Sequence, residues 1–441
     1  MQPLSKEALD GLRSYKYVAG GYTKLDDWHQ PFWNACVQRL PLWLAPNLIT
    51  LAATMCIVSA YVLNIIYVPD FSSEAPRWVY LWSALAVALY CNLDCMDGKQ
   101  ARRTRSSSPL GQLFDHGCDA LALHMMLANI ACSLGVGCSW KMVAGCLGIF
   151  VPWMLAQWEE YHTGIMVYGT AHYGVLEANY SICATHLLSA AGGLAFWRQR
   201  LSLPACFAPL WAWLGSWVGP AAAVLGGLTV ADAALVVVSL AGVAQGAHNV
   251  VRTFRSSQPM PQEERGSKQL GARAAARHLL LLLLPVLLGA CAVALASSSS
   301  SSSSSGLDAK DAPLLALLKP HLGQGCGQGC LQAVQCRLLF SAWGLLFALQ
   351  ASHLIISHMT KQPLQPGLLP LACFATLLLN SLVARTFPPL HLALITHTVA
   401  LLAWTSYVTA VVSQICAFLG ISCFVIKPLP AAEGAGQGSS S

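Results

Sequence analysis

Apolar stretches close to the length of a bilayer crossing recur along nearly the whole chain. In the first half they cover Leu44 to Tyr67, Val79 to Met96, Leu110 to Cys132, Trp140 to Leu155 and Glu177 to Phe196. In the second they cover Ala231 to Val251, Leu279 to Ala296, Leu338 to Ile356, Leu368 to Val383 and Leu390 to Phe418. Each approaches the ~20 residues that a helix needs to span about 30 Å of hydrocarbon. Lipid offers no partner for backbone polar groups, so only helices or a closed barrel can cross it, and the alternating pattern of barrel strands is absent. The expected fold is therefore all-α, a polytopic membrane helical bundle. Composition agrees, since 55% of the 441 residues are hydrophobic and only 10% are charged, too few to cover a soluble protein of this size.

Loop charge sets the expected topology, because Lys and Arg in short loops favour the cytosolic side. The first 40 residues mix Lys6, Arg13, Lys16, Lys24 and Arg39 with acids and aromatics, unlike a cleavable signal, and the N-terminus is placed in the cytosol. Asp70 and Glu74 then fall outside, and the basic run Lys99 to Arg105 falls inside. An eleventh stretch, Pro204 to Leu225, is interrupted by Pro204, Pro209 and Pro220. Were it to cross, the loop carrying Arg252, Arg255, Arg265, Lys268, Arg273 and Arg277 would be forced into the lumen. It is read instead as a re-entrant or lumenal-surface segment, which leaves ten spans and puts Arg198 and Arg200 outside.

The chain thus divides into a cytosolic segment over 1–43, a first membrane unit over 44–200, read as the catalytic core from the acidic segment it carries, a remaining membrane bundle over 201–428 and a disordered tail over 429–441. Within the first, Asp26 to Leu40 places Trp28, Phe32, Trp33, Val37 and Leu40 near one helical face, which suits an amphipathic helix lying in the cytosolic interface. Nine serines, Ser297 to Ser305, form a low-complexity loop to which no chemistry is assigned. The net charge of +6 is scattered among loops, so positive-inside topology accounts for it better than nucleic acid does. Most of the seventeen cysteines lie in apolar runs, where Cys behaves as a small hydrophobe. Cys326, Cys330 and Cys336 are read as plain loop cysteines rather than as a metal site or a disulfide.

The informative segment is DCMDGKQARRTRSSSPLGQLFDHGCDA, from Asp94, which sets four carboxylates at the edge of two hydrophobic spans. Asp94 and Asp97 are spaced i, i+3, and Asp115 and Asp119 are spaced i, i+4, so each pair shares a helix face. Ser107 or Ser108 followed by Pro109 reads as a cap and first helical position, making Thr104 to Ser108 a tight connection that lets the pairs face one another. Unit charges 4 Å apart repel by about 4 kcal/mol even at an effective dielectric near 20, so a cation belongs among them. Oxygen-only ligation suits Mg²⁺ or Mn²⁺, and two pairs of acids suit two ions. Gly98, Ala101 and Gly111 leave room for a ligand, and Arg102 can neutralise a phosphate. The plainer reading, that the acids merely pair with Lys99, Arg102, Arg103 and Arg105 at the membrane surface, is weakened by their ordered spacing with glycines.

Asp94, Asp97-Gly98, Ala101-Arg102, Gly111, Asp115 and Asp119 reproduce D-x2-D-G-x2-A-R-x8-G-x3-D-x3-D in full. With DGKQARRT, SSSPLG, LFDHGCD, LPLWLAPNLIT at Leu40 and the WEEYHTG stretch from Trp158, the chain resembles the CDP-alcohol phosphatidyltransferase family, in its eukaryotic choline/ethanolamine phosphotransferase branch. The likeness fades after about Arg200. It implies that Asp94, Asp97, Asp115 and Asp119 hold the metals, that Arg102 contacts a phosphate, that Asn47 contacts the CDP substrate and that His116 accepts a proton, with Glu177 as its partner. Position alone supports His116, which follows a metal ligand at the cytosolic end of its span and can take a proton near neutral pH. Glu159 and Glu160 are rivals to Glu177, expected in a more exposed loop.

The expected reaction is transfer of phosphocholine or phosphoethanolamine from CDP-choline or CDP-ethanolamine to diacylglycerol, with release of CMP. The resemblance further implies a homodimer in endoplasmic reticulum or Golgi membrane. Two other readings keep the acids: CDP-diacylglycerol as donor to a soluble alcohol, or a cation site in a transporter or scaffold.

Overall fold

In a computed structural model of the chain, the described residues are 4–15, 17–18, 20–167, 169, 172–201, 227–255, 272–298, 328–365, 367–384 and 386–426. Among them twelve α-helices form and no strand does: α1 (Lys6–Arg13), α2 (Lys24–Arg39), α3 (Pro46–Tyr67), α4 (Arg77–Arg103), α5 (Pro109–Leu134), α6 (Trp140–Thr163), α7 (Val175–Arg198), α8 (Val230–Arg255), α9 (Ala272–Ser298), α10 (Gln328–Met359), α11 (Leu368–Leu379) and α12 (Pro389–Leu419). The chain is an integral membrane protein. Eight of these helices are long and apolar enough to cross a bilayer: α3 to α6, α8 to α10 and α12. The other two of the ten expected spans are α7, kinked at Gly193, and α11, prolonged by one π turn over Asn380–Ala384. The stretch Pro204 to Leu225 lies outside the described residues, apart from which lie also the tail from 427 and the serines from 299 onward.

Local chemistry fixes where the helices begin and end. The Ser108 hydroxyl accepts from the Gly111 amide at 3.2 Å and Pro109 occupies the first turn, as the sequence suggested for the start of α5. Gly135, Gly164 and Gly420 end α5, α6 and α12 in the left-handed conformation that glycine tolerates best. Several helices run past the end of their apolar pattern. The expected span from Trp140 to Leu155 continues to Thr163 because Glu159 meets Arg252 of α8 at 3.1 Å and Glu160 meets His358 of α10 at 3.7 Å. Both acids are therefore buried within a helix, not exposed in a loop.

The bundle has two halves joined along α5 and α10. In the first, α3 packs on α4 and α5, and α4 on α7. In the second, α10 packs on α5, α6, α9 and α12, and 89% of its apolar stretch is buried, against 22% for α8 and α12, which present wide apolar faces outward. Arg337, near the start of α10, inserts its guanidinium under the end of α3. It donates to the carbonyls of Pro69 at 2.6 Å, Asn64 at 3.2 Å and Val68, and lies 3.9 Å over the Phe71 ring. The Asn64 carbonyl also accepts from the Val68 amide at 3.0 Å, and a buried cation added at this C-terminal end of α3 ties the halves together. Cys336, the next residue back, forms a disulfide with Cys138 in the α5–α6 turn. This overturns its reading as a loop cysteine: it sits in a helix, and its partner is 198 residues away.

Two further departures concern the N-terminal segment. An additional short helix, α1, docks on the second half, with the Leu4 amide on the Gln414 side chain at 2.7 Å. In α2, Trp33 and Val37 are buried against the core while Trp28 and Phe32 are exposed, so the aromatic residues occupy two faces rather than one. The side chain of Trp33 donates to Asn92 at 2.9 Å, which seats α2 on α4.

Gly193 in α7 has φ 61° and ψ −166°, a conformation essentially reserved for glycine, and a Cβ there would lie 2.2 Å from the Glu74 carboxylate. Gly193→Ala is expected to cost about 1–3 kcal/mol and to lower the thermal unfolding midpoint of the detergent-solubilised protein, whereas Ala at the neighbouring exposed helix position Leu188 leaves it nearly unchanged.

Candidate active site

The end of α4 and the start of α5 meet across the tight turn 104–108, and their aspartates converge. One carboxylate oxygen each from Asp94, Asp97 and Asp115 lies within 4.8 Å of the others. Asp119, the fourth expected ligand, instead accepts a hydrogen bond from the Tyr90 hydroxyl, one turn before Asp94 on α4. Asp97 is held from the α3 side, by the Thr50 hydroxyl. No Lys or Arg among the described residues lies within ion-pair distance of any of the four. The surface-pairing alternative fails on this point.

The nearby basic residues have other work. Lys99 donates to Gln30 at 2.5 Å and Asn34 at 2.8 Å, and Arg103 donates to the carbonyls of Val37 at 2.8 Å, Leu40 at 2.7 Å and Gln38 at 3.1 Å. Both therefore hold α2 against α4, with Arg103 capping the C-terminal end of α2. Arg102 points instead into a cavity of about 740 Å³ that Asp97 and Asp115 also line. Arg105, on its rim, has φ 54°, an uncommon conformation for a residue with a side chain, and it closes the turn between the two helices.

Asn47, Gly98, Ala101 and Gly111 line the same cavity, so every residue expected to bind substrate is gathered there. A Cβ added at Gly98 or Gly111 would meet protein atoms no nearer than 3.6 Å and 3.7 Å respectively. Close packing of the protein does not require these glycines; what they leave open is pocket. Asn47 is buried and its amide nitrogen donates to the Cys423 carbonyl at 2.9 Å.

Whether a divalent cation suits the cluster is a question of donors. All three converging ligands are carboxylate oxygens, the set preferred by hard ions such as Mg²⁺ and Mn²⁺. Asp115 Oδ1 is buried without a hydrogen-bond partner among the described residues, a costly state for a carboxylate that a cation would relieve. Asp94, Asp97 and Asp115 thus fit a metal.

His116 is buried beside Asp115, with its Nε2 4.0 Å from Asp115 Oδ2 and 2.6 Å from the side-chain nitrogen of Gln112. Tyr17, from the segment between α1 and α2, meets the His116 ring edge-on at 5.8 Å and lines the pocket. Burial, with the charges of Glu160 and Asp115 adding, pushes the Tyr17 phenol above its ordinary value, so it remains a neutral hydroxyl there. Glu177 does not reach His116. Its carboxylate turns back to accept from the Gly174 amide at 2.8 Å, capping the first turn of α7. Tyr90, Thr50, Gln112 and Tyr17 were not picked out from sequence. The first two were the more readable, lying one helical turn from Asp94 and from Asn47.

A second, apolar cavity of about 340 Å³ lies among α5, α6, α7 and α8. Leu123, Met126, Leu127 and Ile130 line it, and these residues continue down α5 the helix face that carries Asp115 and Asp119.

An all-α bundle whose adjoining spans bring an oxygen-only carboxylate cluster to the mouth of a polar pocket defines a membrane protein with a metal-competent site. Residues 43–228 match the model of the CDP-alcohol phosphatidyltransferase family, and the aspartate motif lies intact on that segment. It is similar to Cholinephosphotransferase 1 of Homo sapiens, 40% identical over 204 residues, 46% of this chain and 50% of that protein. Cholinephosphotransferase 1 of Danio rerio is 38% identical over 202 residues, 45% of this chain and 52% of that protein. An uncharacterized CDP-alcohol phosphatidyltransferase class-I family protein 2 of Dictyostelium discoideum is 38% identical over 204 residues, 45% of this chain and 48% of that protein. The chain spans about half the length of the curated relatives it matches.

Metal binding has a readout independent of turnover. Mn²⁺ at a hundredfold excess over its dissociation constant is expected to stabilise the protein by about 2.7 kcal/mol, seen as a higher unfolding midpoint, and Asp97→Asn or Asp115→Asn to remove most of that gain.

Proposed function

We propose that the protein transfers phosphocholine or phosphoethanolamine from its CDP ester to diacylglycerol, yielding phosphatidylcholine or phosphatidylethanolamine and CMP. The observation that carries this reading is the convergence of three carboxylates, with no Lys or Arg among the described residues at ion-pair distance, on a pocket that also holds Arg102 and the open faces of Gly98 and Gly111. The names of the matched relatives make CDP-choline the first donor to test.

Asp94, Asp97, Asp115 and Asp119 hold one or two Mg²⁺ or Mn²⁺ ions, with Asp119 released by Tyr90 if it joins the set. A divalent ion there supplies charge stabilisation to the donor diphosphate and to departing CMP. Arg102 neutralises a phosphate oxygen, and Asn47, Gly98, Ala101 and Gly111 position the nucleotide. His116 takes the proton of the diacylglycerol hydroxyl as that oxygen attacks the phosphorus bearing the alcohol; the bond from phosphorus to the CMP oxygen breaks. Glu177 serves in this scheme as a positioning residue at the start of α7, since its carboxylate is committed to the Gly174 amide. The apolar cavity on the continuation of the Asp119 face suits the acyl chains of an acceptor that never leaves the bilayer.

The pocket faces the cytosol. Support comes from the Cys138–Cys336 disulfide, which lies at the opposite end of the bundle, where α5 ends and α10 begins. Disulfides persist in oxidising compartments and are rare in the cytosol, so that end belongs in a lumen such as that of the endoplasmic reticulum or Golgi. A homodimer is the proposed assembly, on the family resemblance.

Purified protein in lipid vesicles, given radiolabelled CDP-choline, CDP-ethanolamine or CDP-diacylglycerol in parallel, tests the reading. Metal-dependent CMP release with one or both of the first two donors and diacylglycerol is expected, reduced about 10²- to 10⁴-fold in His116→Ala. Turnover of CDP-diacylglycerol alone would overturn it, as would cation movement without CMP release.

A further inference from the structure

The far end of the described chain reaches the pocket. After α12 the backbone turns at Gly420, with φ 67°, and residues 421–426 run along the pocket mouth, where Ile421, Ser422, Cys423, Val425 and Ile426 all line it. The segment is attached to both walls. On the α3 side the Cys423 carbonyl accepts from Asn47 Nδ2 at 2.9 Å, across 376 residues of sequence. On the α5 side Phe424 meets Phe114 edge-on at 5.5 Å, and Phe114 directly precedes Asp115. None of these C-terminal residues falls within 43–228, the part of the chain that matches the family model.

The hydrogen bond to Cys423 settles which way the Asn47 amide faces. Its nitrogen is engaged by a carbonyl, so its oxygen is the atom left toward Gly111, whose added Cβ would lie 3.7 Å from it. An acceptor in that place selects a ligand group that donates, an N–H or an O–H, and is unfavourable to a carbonyl or phosphate oxygen. A nucleoside diphosphate offers such donors in its ribose hydroxyls and in the exocyclic amine of cytosine.

We propose that residues 421–426 form the outer wall of the donor pocket and act as a positioning segment that holds Asn47 with its amide oxygen toward a hydrogen-donating group of the nucleotide. The proposal rests on the reading of the pocket as a nucleotide site. It assigns to the half of the chain beyond the family-matched segment a direct part in donor binding, and none in acceptor binding.

The test uses CDP with Mn²⁺ as the probe. In the full-length protein, alkylation of Cys423 by N-ethylmaleimide, followed by mass spectrometry, is expected to slow about tenfold on saturation with CDP and Mn²⁺, while Cys36 on α2 reacts at an unchanged rate. A chain ending at Gly420 is expected to bind CDP with Mn²⁺ roughly tenfold or more weakly and to show a raised KM for the donor with an unchanged KM for diacylglycerol. A chain ending at Pro428 keeps the wild-type values. If the full-length protein binds CDP but Cys423 is not protected, the wall assignment falls while the function stands, and the footprint decides this even if the shorter chain fails to fold. If the full-length protein binds no CDP with Mn²⁺, the site reading and the wall fall together.

Discussion

Asp94, Asp97 and Asp115 are held close together where helices α4 and α5 meet, with no Lys or Arg among the described residues within ion-pair distance. At about 4 Å, even an effective dielectric of 20 leaves a repulsion of about 4 kcal/mol between two unit charges. Folding alone gains nothing from such a cluster, and much of the surrounding structure serves to maintain it. Thr50 orients Asp97 and Tyr90 orients Asp119, while Lys99 and Arg103, which would otherwise quench the acids, are drawn away by α2. Arg102 alone of the three turns toward the cavity. This division of neighbouring cations, two for docking and one for the ligand, is what leaves the cluster able to hold a metal and a phosphate together.

Rigidity of α4 and α5 then matters more than rigidity of any loop. Helix α5 is braced from the second half of the bundle, where α10 packs along it and Arg337 with the Cys138–Cys336 disulfide clamps α10 to the far ends of α3 and α5, and α4 is held through its packing on α3 and α7. Polar groups deep in the bundle work in pairs that cross between helices, as Glu159 with Arg252 and Glu160 with His358 do. Each pair lets a charged or polar residue lie in a helix that an apolar pattern would have ended sooner. The apolar cavity beneath Asp119 lies among α5, α6, α7 and α8, so the polar pocket and the apolar space share one face of α5.

Much of this was legible in the sequence because its governing constraints are local. Helices form at the ten apolar stretches read from hydropathy, eight of them long and apolar enough to cross a bilayer, while the start of α5 follows from Ser108 and Pro109, and the gathering of Asp94, Asp97 and Asp115 from spacing on two helices joined by a short turn. What escaped depends on contacts distant in sequence. The extension of α6 through Glu159 and Glu160 requires α8 and α10, and the pairing of Cys336 with Cys138 spans 198 residues. The docking of α1 on α12 and the approach of Cys423 to Asn47 leave no periodic trace at all. Glu177 was expected beside His116, but its spacing from Gly174 also makes it a helix cap, and its carboxylate is turned to that nearer amide.

The most direct measurement is an anomalous-scattering map of crystals soaked in Mn²⁺. The account predicts a peak about 2.0–2.3 Å from oxygens of Asp94, Asp97 and Asp115, on the side of the pocket that holds Arg102. A Mn²⁺-saturated protein whose only peaks lie elsewhere, with these three carboxylates protonated and bonded to one another, would contradict it.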